Sequence, residues 1–269
     1  MGWVCMSFSS RLALLIPSSL ALYATKTFAN FTVNMPVGVT DMSHRIHQLH
    51  MTIFWICVAI GILVFSLMFY AIIFHRKAAG HKAANFHEST KVEILWTIIP
   101  FIILIAMAVP ATKTLLAMDD LEDSDLTIKI TGYMWRWHYD YVGTNISFMS
   151  ELATPYEQII NRDAKGEHYL REVDNPLVLP INKKIRFLMT GNDVIHSWWV
   201  PELAVKKDAI PGFINETWAR INTPGIYRGQ CAELCGARHG FMPIVVKAVT
   251  EAEFRTWVIA QEDAANKQG

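Results

Sequence analysis

Residues 51–74, MTIFWICVAIGILVFSLMFYAIIF, carry no charged side chain. As an α-helix they span about 36 Å, more than the roughly 30 Å hydrocarbon core of a bilayer. Lipid offers no partner to an unpaired backbone amide, so such a segment must be helical and must find a membrane. A second uncharged stretch follows at 94–111, ILWTIIPFIILIAMAVPA. Pro100 and Pro110 would break a soluble helix, but membrane helices tolerate proline. The pattern predicts two transmembrane helices, 51–74 and 94–112.

The connection between them, HRKAAGHKAANFHESTK, holds Arg76, Lys77, Lys82 and Lys91. By the positive-inside rule this loop is cytoplasmic, which puts both flanking segments outside. The N-terminus agrees. Arg11, the apolar run LALLIPSSLALYA and a small residue at Ala24 or Ala29 read as a signal peptide over 1–29. Cys5 precedes the apolar run, which fits poorly with a lipoprotein. The expected organisation is a signal peptide, then an external segment plus hairpin over 30–117, then an external domain over 118–269. The expected location is a bacterial inner membrane, with the N-terminus and the C-terminal domain on the periplasmic side.

Most of the apolar content lies before Met118. Beyond it the chain alternates as a globular protein does, and its formal charge of zero argues against nucleic acid. LTIKITGYMWRWHYDY, NPLVLPINKKIRFLMTGNDVIHSWWVP, FINETWARINTPGIYRGQC and MPIVVKAVT are rich in β-branched and aromatic residues, with Gly, Pro and Asn-Asp turns between them. A β-sandwich or barrel follows, closed by a short helix, EAEFRTWVIAQED. The fold class is therefore membrane α plus all-β.

The chemistry concentrates at 231–242, CAELCGARHGFM. Cys231 and Cys235 could form a disulfide in an exported domain, but His239 and Met242 add donors a disulfide does not need. His196, in GNDVIHSWWVP, is the best upstream partner, at an expected strand end. Three metal sites compete. Cys231, Cys235, His239 and His196 make a Cys₂His₂ zinc set, yet zinc seldom takes the Met242 thioether. A blue-copper set of His196, Cys235, His239 and Met242 leaves Cys231 as a spare thiolate beside a redox metal. A binuclear copper site uses every donor: two bridging thiolates, one histidine per ion, and the Met242 sulfur and Glu233 carbonyl as weak ligands. This last is the best account of the residues.

That loop, with DVIHSWWVP and GYMWRWHYDY, closely resembles subunit II of haem-copper cytochrome c oxidases. The likeness extends to VEILWTIIP in the second helix, to LVLPINKKIRFLMTGNDVIHSW and to the KKDAIPGFIN turn, covering about 40–258 in the same order. It implies a cupredoxin-like sandwich with a binuclear copper (CuA) centre on His196, Cys231, Cys235, His239, Met242 and the Glu233 carbonyl. It implies that the Glu233 side chain binds magnesium shared with subunit I. Electrons would arrive from cytochrome c and leave for haem a in subunit I, for reduction of oxygen coupled to proton pumping. Subunits I and III, cytochrome c and membrane lipid are the implied partners.

Three more assignments follow from the resemblance. Trp135, Trp137, Tyr139 and Tyr141 alternate along an expected strand as a packing face, and Trp135 matches the tryptophan through which electrons arrive. Asp140, Asp174 and Asp193 match carboxylates that dock a basic cytochrome. Glu93, at the start of the second helix, matches the mouth of a proton pathway. The acidic run DDLEDSD at 119–125 reads as a solvated face. A quinol oxidase subunit lacks the copper donors present here, and nitrous oxide reductase needs a longer chain without the hairpin. No C-x-x-C-H occurs, so no haem is expected on this chain.

Overall fold

The structure, a computed structural model, describes residues 34–268 apart from 81, 83, 84 and 86. The expected signal peptide lies outside the described residues. Helix α1 covers Asp41–Phe74 and α2 covers Thr90–Met118. Both are long and apolar enough to cross a membrane, and they lie against one another. Each is longer than the uncharged stretch within it. The extra turns of α1 are polar, and a capping box starts them. The Thr40 side chain accepts from Ser43 N–H at 2.9 Å, and the Ser43 side chain accepts from Thr40 N–H at 3.0 Å. Pro100 and Pro110 sit inside α2 without ending it.

Ten strands follow among the described residues: β1 Leu126–Tyr133, β2 Arg136–Tyr141, β3 Ser147–Ser150, β4 Leu177–Pro180, β5 Ile185–Gly191, β6 His196–Val200, β7 Val205–Ala209, β8 Asn215–Ala219, β9 Gly225–Cys231 and β10 Pro243–Val249. A one-turn helix α3, Tyr156–Ile159, interrupts the β3–β4 connection, and α4, Glu251–Gln268, ends the described chain. One sheet has the order β3-β2-β1-β5-β8 and the other β4-β10-β9-β6-β7. Among the strand pairs of the described residues, β1–β5 and β4–β10 are parallel and the others antiparallel.

Period-two alternation fills the space between the sheets. Ile185, Phe187 and Met189 of β5 point inward while Arg186 points out and pairs with Glu216. Trp137, Tyr139 and Tyr141 of β2 are buried as the alternation predicts. Trp135 is not on that face. It sits in the two-residue turn between β1 and β2, because the chain reverses after Tyr133. The buried polar tips of these aromatics all find partners, as burial requires. Trp198 donates to the Tyr139 hydroxyl at 3.3 Å. The Tyr141 hydroxyl donates to the Val178 carbonyl at 2.7 Å and accepts from the Val178 N–H at 3.1 Å. Phe254 and Trp257 of α4 close the sandwich over Tyr141.

The helices join the sandwich at two places. Near α1, the Thr40 hydroxyl donates to the Leu203 carbonyl at 3.1 Å, and Val39 N–H to the Glu202 carbonyl at 2.8 Å. Glu202 and Leu203 belong to the 3-10 turn Pro201–Leu203, directly after β6. Near the end of α2, the Trp218 indole donates to the Ala117 carbonyl at 3.1 Å.

Tyr141→Phe leaves both backbone groups of Val178 without this partner in a dry core, which costs about 1–3 kcal/mol. The expected result is a Tm lower by several degrees for the full chain in detergent, followed by near-ultraviolet circular dichroism. An unchanged Tm would show that Val178 finds other partners.

Candidate metal centre

The cysteine-rich loop joins β9 to β10, which are hydrogen-bonded neighbours with Gln230 opposite Pro243. Cys231 is the last residue of β9 and Met242 the last before β10. A 3-10 turn, His239–Phe241, folds the loop back on itself. On the other side of β9, β6 places Trp198 opposite Cys231, so His196 reaches the site from the start of β6. The Ala232 N–H donates to the Ser197 carbonyl at 2.9 Å, tying the loop to that strand.

These constraints bring six donors together. The two cysteine sulfurs are 3.8 Å apart and unbonded. At the Cys231 end, His196 Nδ1 lies at 4.0 Å and the Glu233 carbonyl at 3.3 Å. At the Cys235 end, His239 Nδ1 lies at 3.6 Å and the Met242 sulfur at 3.5 Å. With metal–sulfur bonds of about 2.3 Å and metal–nitrogen bonds of about 2.0 Å, two donors at a tetrahedral corner stand about 3.5–3.8 Å apart. The donors are therefore spaced as ligands before any ion is considered. Two imidazoles, a thioether and a carbonyl thus flank the two sulfurs. A single tetrahedral ion uses two sulfurs and two imidazoles and has no place for the thioether and carbonyl. Two ions sharing both sulfurs use all six, and soft thiolate and thioether donors suit copper.

His196, Cys231, Cys235 and Met242 are buried, while His239 is half-buried and the Glu233 side chain is exposed. Burial works against a thiolate at Cys231, but hydrogen bonds from His196, the Ser197 and Glu233 backbone and His239 outweigh it and hold the thiol down to about 7. Burial and the neighbouring Cys231 charge push Cys235 up to about 12. Two thiolates this close repel, so a cation between them is what makes both ionised forms tenable. Two glycines make room. A Cβ on Gly132 would meet His196 at 2.7 Å, and Gly236, at φ +108°, lies against the Trp135 ring.

Residues 126–249 match the family described as cytochrome c oxidase subunit II, periplasmic domain, and residues 29–114 match its transmembrane domain. A protein named "Probable cytochrome c oxidase subunit 2" from Rickettsia bellii is 38% identical over 251 residues, covering 91% of each chain. The cytochrome c oxidase subunit 2 of Metridium senile is 42% identical over 232 residues, 84% of this chain and 90% of its own. The chain belongs to the cytochrome c oxidase subunit II family. The solved periplasmic domain of subunit II from Bradyrhizobium japonicum is 42% identical, covering 55% of this chain and 98% of its own, with a TM-score of 0.47. This subunit II is thus a membrane component of a haem-copper oxidase and works alongside other oxidase subunits. Its cupredoxin-like sandwich carries a His/Cys/Cys group consistent with CuA copper.

The remaining candidate residues of the subunit fall in different places. Trp135 touches the centre: its indole donates to the Cys235 carbonyl at 3.0 Å. It also lines an open cavity of about 470 Å³ with Arg238, Phe241, Tyr156 and the ion-paired Arg136 and Glu151. The unassigned β3–β4 connection thus supplies one wall beside Trp135. Asp140 pairs with His138 at 3.3 Å. Asp174 accepts from the Glu151 and Asn175 amides, both at 2.7 Å. Glu93 is exposed in the first turn of α2, on the other helix end from the sandwich.

Asp193 proves to be part of the centre. Its carboxylate accepts from His196 Nε2 at 2.8 Å, the Met134 N–H at 2.8 Å and the Val194 N–H at 2.7 Å. Partial burial opposes its ionisation, but these bonds hold the carboxyl below its usual range. They also fix the ring so that Nδ1 faces the sulfurs. Trp137, read from the sequence as packing, lies beneath the site, with its indole N–H 3.3 Å from the Met242 carbonyl and its ring 5.9 Å from that of His196. No sequence pattern marks Asp193 as an orienting group rather than a surface charge.

Because the folded-state carboxyl of Asp193 is depressed, its grip on His196 is present above the unfolded value of about 3.9 and is lost only as pH falls through the folded one. At neutral pH, Asp193→Ala is expected to weaken copper binding by about 10–100-fold, as loss of an orienting partner does. Competition against a chelator of known affinity checks this, and unchanged affinity would reassign the carboxylate to docking alone.

Proposed function

We propose that His196, Cys231, Cys235, His239, Met242 and the Glu233 carbonyl would together hold a binuclear copper (CuA) centre. What carries this reading is the gathering of two imidazoles, a thioether and a carbonyl about two unbonded sulfurs 3.8 Å apart. When bound, such a centre would supply reversible one-electron exchange. The protein supplies rigidity. Both ends of the loop are pinned by the β9–β10 ladder, and the buried sulfurs exclude water, so the ligands are held with little freedom to move.

Electrons arrive from cytochrome c at Trp135 and leave for haem a in subunit I. The indole hydrogen bond to the Cys235 carbonyl supports this, since it links a half-buried surface aromatic to a bridging ligand through one contact. Asp140 and Asp174, with Asp193, contribute negative charge toward a basic cytochrome, which steers encounter more than it tightens binding. The exposed Glu233 carboxylate is this chain's contribution to a magnesium ion shared with subunit I. Glu93 feeds a proton pathway, supported by its exposure at a membrane helix end. The Lys/Arg-rich connection between the helices is cytoplasmic, so the sandwich faces the periplasm, while subunits I and III and lipid surround the hairpin within the membrane.

Copper analysis and electron paramagnetic resonance test the core of this reading. The expected result is two coppers per chain, with hyperfine structure from one electron shared by two nuclei, and loss of that pattern in Cys231→Ser. One copper with single-nucleus splitting, or preferred binding of zinc, would remove the binuclear assignment. Trp135→Phe is expected to lower kcat/KM for cytochrome c about tenfold or more, on the scale of a misplaced reaction partner. Its copper signal should be unchanged, and equal rates in variant and wild type would move the port elsewhere.

A further inference from the structure

The acidic run at 119–125 joins α2 to β1, and in the structure it wraps a buried lysine rather than facing solvent alone. The Lys184 side chain is 8% exposed. Its Nζ donates to the Glu122 carbonyl at 2.5 Å and to Asp120 at 3.4 Å, and stands 4.9 Å from the centre of the Trp218 ring. The backbone is tied to the same segment in both directions. Lys184 N–H donates to the Asp125 carboxylate and Asp125 N–H to the Lys184 carbonyl, both at 2.8 Å. Trp218 in turn donates to Ala117, one of the last carbonyls of α2 and so without an amide from its own helix. A buried ammonium is tolerated only where its partners keep good geometry, so these contacts make a stiff joint rather than a hinge.

What the joint supports is the metal centre. From it β1 and β5 run parallel and in register, from Leu126 beside Ile185 to Gly132 beside Gly191, about 20 Å at the usual rise per residue. Gly132 is the residue on which the His196 ring rests, and Gly191 packs against the Val194 carbonyl in the turn that leads to His196. The paired strands therefore form a strut with the end of a membrane helix at one end and a ligand histidine at the other.

We infer that Lys184, together with Trp218, is a positioning residue that fixes the metal centre relative to the membrane hairpin, and with it the distance over which electrons pass to the neighbouring subunit. The inference rests on the reading of the site as an electron-delivering centre. Electron transfer falls off exponentially with separation, so a joint that sets a distance also sets a rate.

The test is Lys184→Met in the assembled oxidase, with Lys184→Arg beside it. The expected result is wild-type copper content and spectrum and an unchanged KM for cytochrome c. Electron transfer from copper to haem after flash reduction should slow several-fold, and Lys184→Arg should recover most of the rate. In the full chain without copper, hydrogen exchange over residues 117–128 should rise in Lys184→Met while that of 231–242 stays the same. An internal rate equal to wild type overturns the inference. So does a slower rate with an altered copper signal, which places the damage in the site itself. If Lys184→Met does not assemble, Trp218→Phe carries the same expectation at smaller amplitude and is overturned by the same results. A wild-type chain without the binuclear signal defeats the reading of the site instead, a result independent of the exchange pattern.

Discussion

Cys231 and Cys235 hold their sulfurs 3.8 Å apart without a bond between them, and that separation requires the loop to be closed from both sides. A free loop carrying two thiols would relax toward a disulfide or toward solvent. Here the first cysteine cannot leave because it ends β9, and Met242 cannot leave because the next residue opens β10. The ten-residue excursion between them is thus spanned by a two-strand ladder. His196 is supplied from β6 on the far side of β9, so three adjacent strands of one sheet converge on the same point. The remaining architecture, including the small residues beneath His196 and beside Trp135, follows from keeping that point free of steric conflict.

The membrane hairpin bears on the same geometry through its polar ends. The turns of α1 that precede the uncharged stretch do not serve the bilayer. They dock Thr40 on Leu203, in the turn that follows β6, and Asp41 on Arg220 and Asn222, in the connection from β8 to β9. The exit of α2 is gripped by Trp218 and Lys184. Individual exposed ion pairs contribute little to stability, but these contacts combine buried hydrogen bonds with short connections, so each helix is joined to a strand that runs to the centre.

Much of this was legible in the sequence, for reasons that can be named. The hairpin was legible because lipid tolerates only a narrow range of segments, and the strands because one buried face imposes a period of two. The donor set was legible because cysteine, histidine and methionine in one short loop have few joint uses. What escaped was whatever depends on the fold bringing distant residues together. Trp135 was placed on a strand face because alternation continues across Met134, while the chain in fact turns there. Asp193 reads as a surface carboxylate until β6 swings His196 back over it. The acidic side chains at 119–125 are exposed, as the sequence reads, but nothing near them in sequence reveals that Lys184, some sixty residues on, is buried against the Glu122 carbonyl and Asp120.

The polar groups around the centre explain how a charge-changing metal can sit in a packed core. Burial raises the phenols of both Tyr139 and Tyr141 above their ordinary range, so they remain neutral and act only as hydrogen-bond partners. Trp137 and Trp198 offer N–H groups that carry no charge at all. Among the described residues, the anionic side chain bonded to a buried ligand is Asp193, and it is fixed by three donors that leave it no freedom to reorient. A gain or loss of one electron at the sulfurs therefore meets neutral, hydrogen-bonded dipoles on the core side, with no group that must take up a proton or swing to compensate. The groups free to respond, Glu233 and Arg238, lie on the exposed outer surface of the loop. Response to the electron is confined to the face where partners and solvent meet the subunit, and the core side stays as it was.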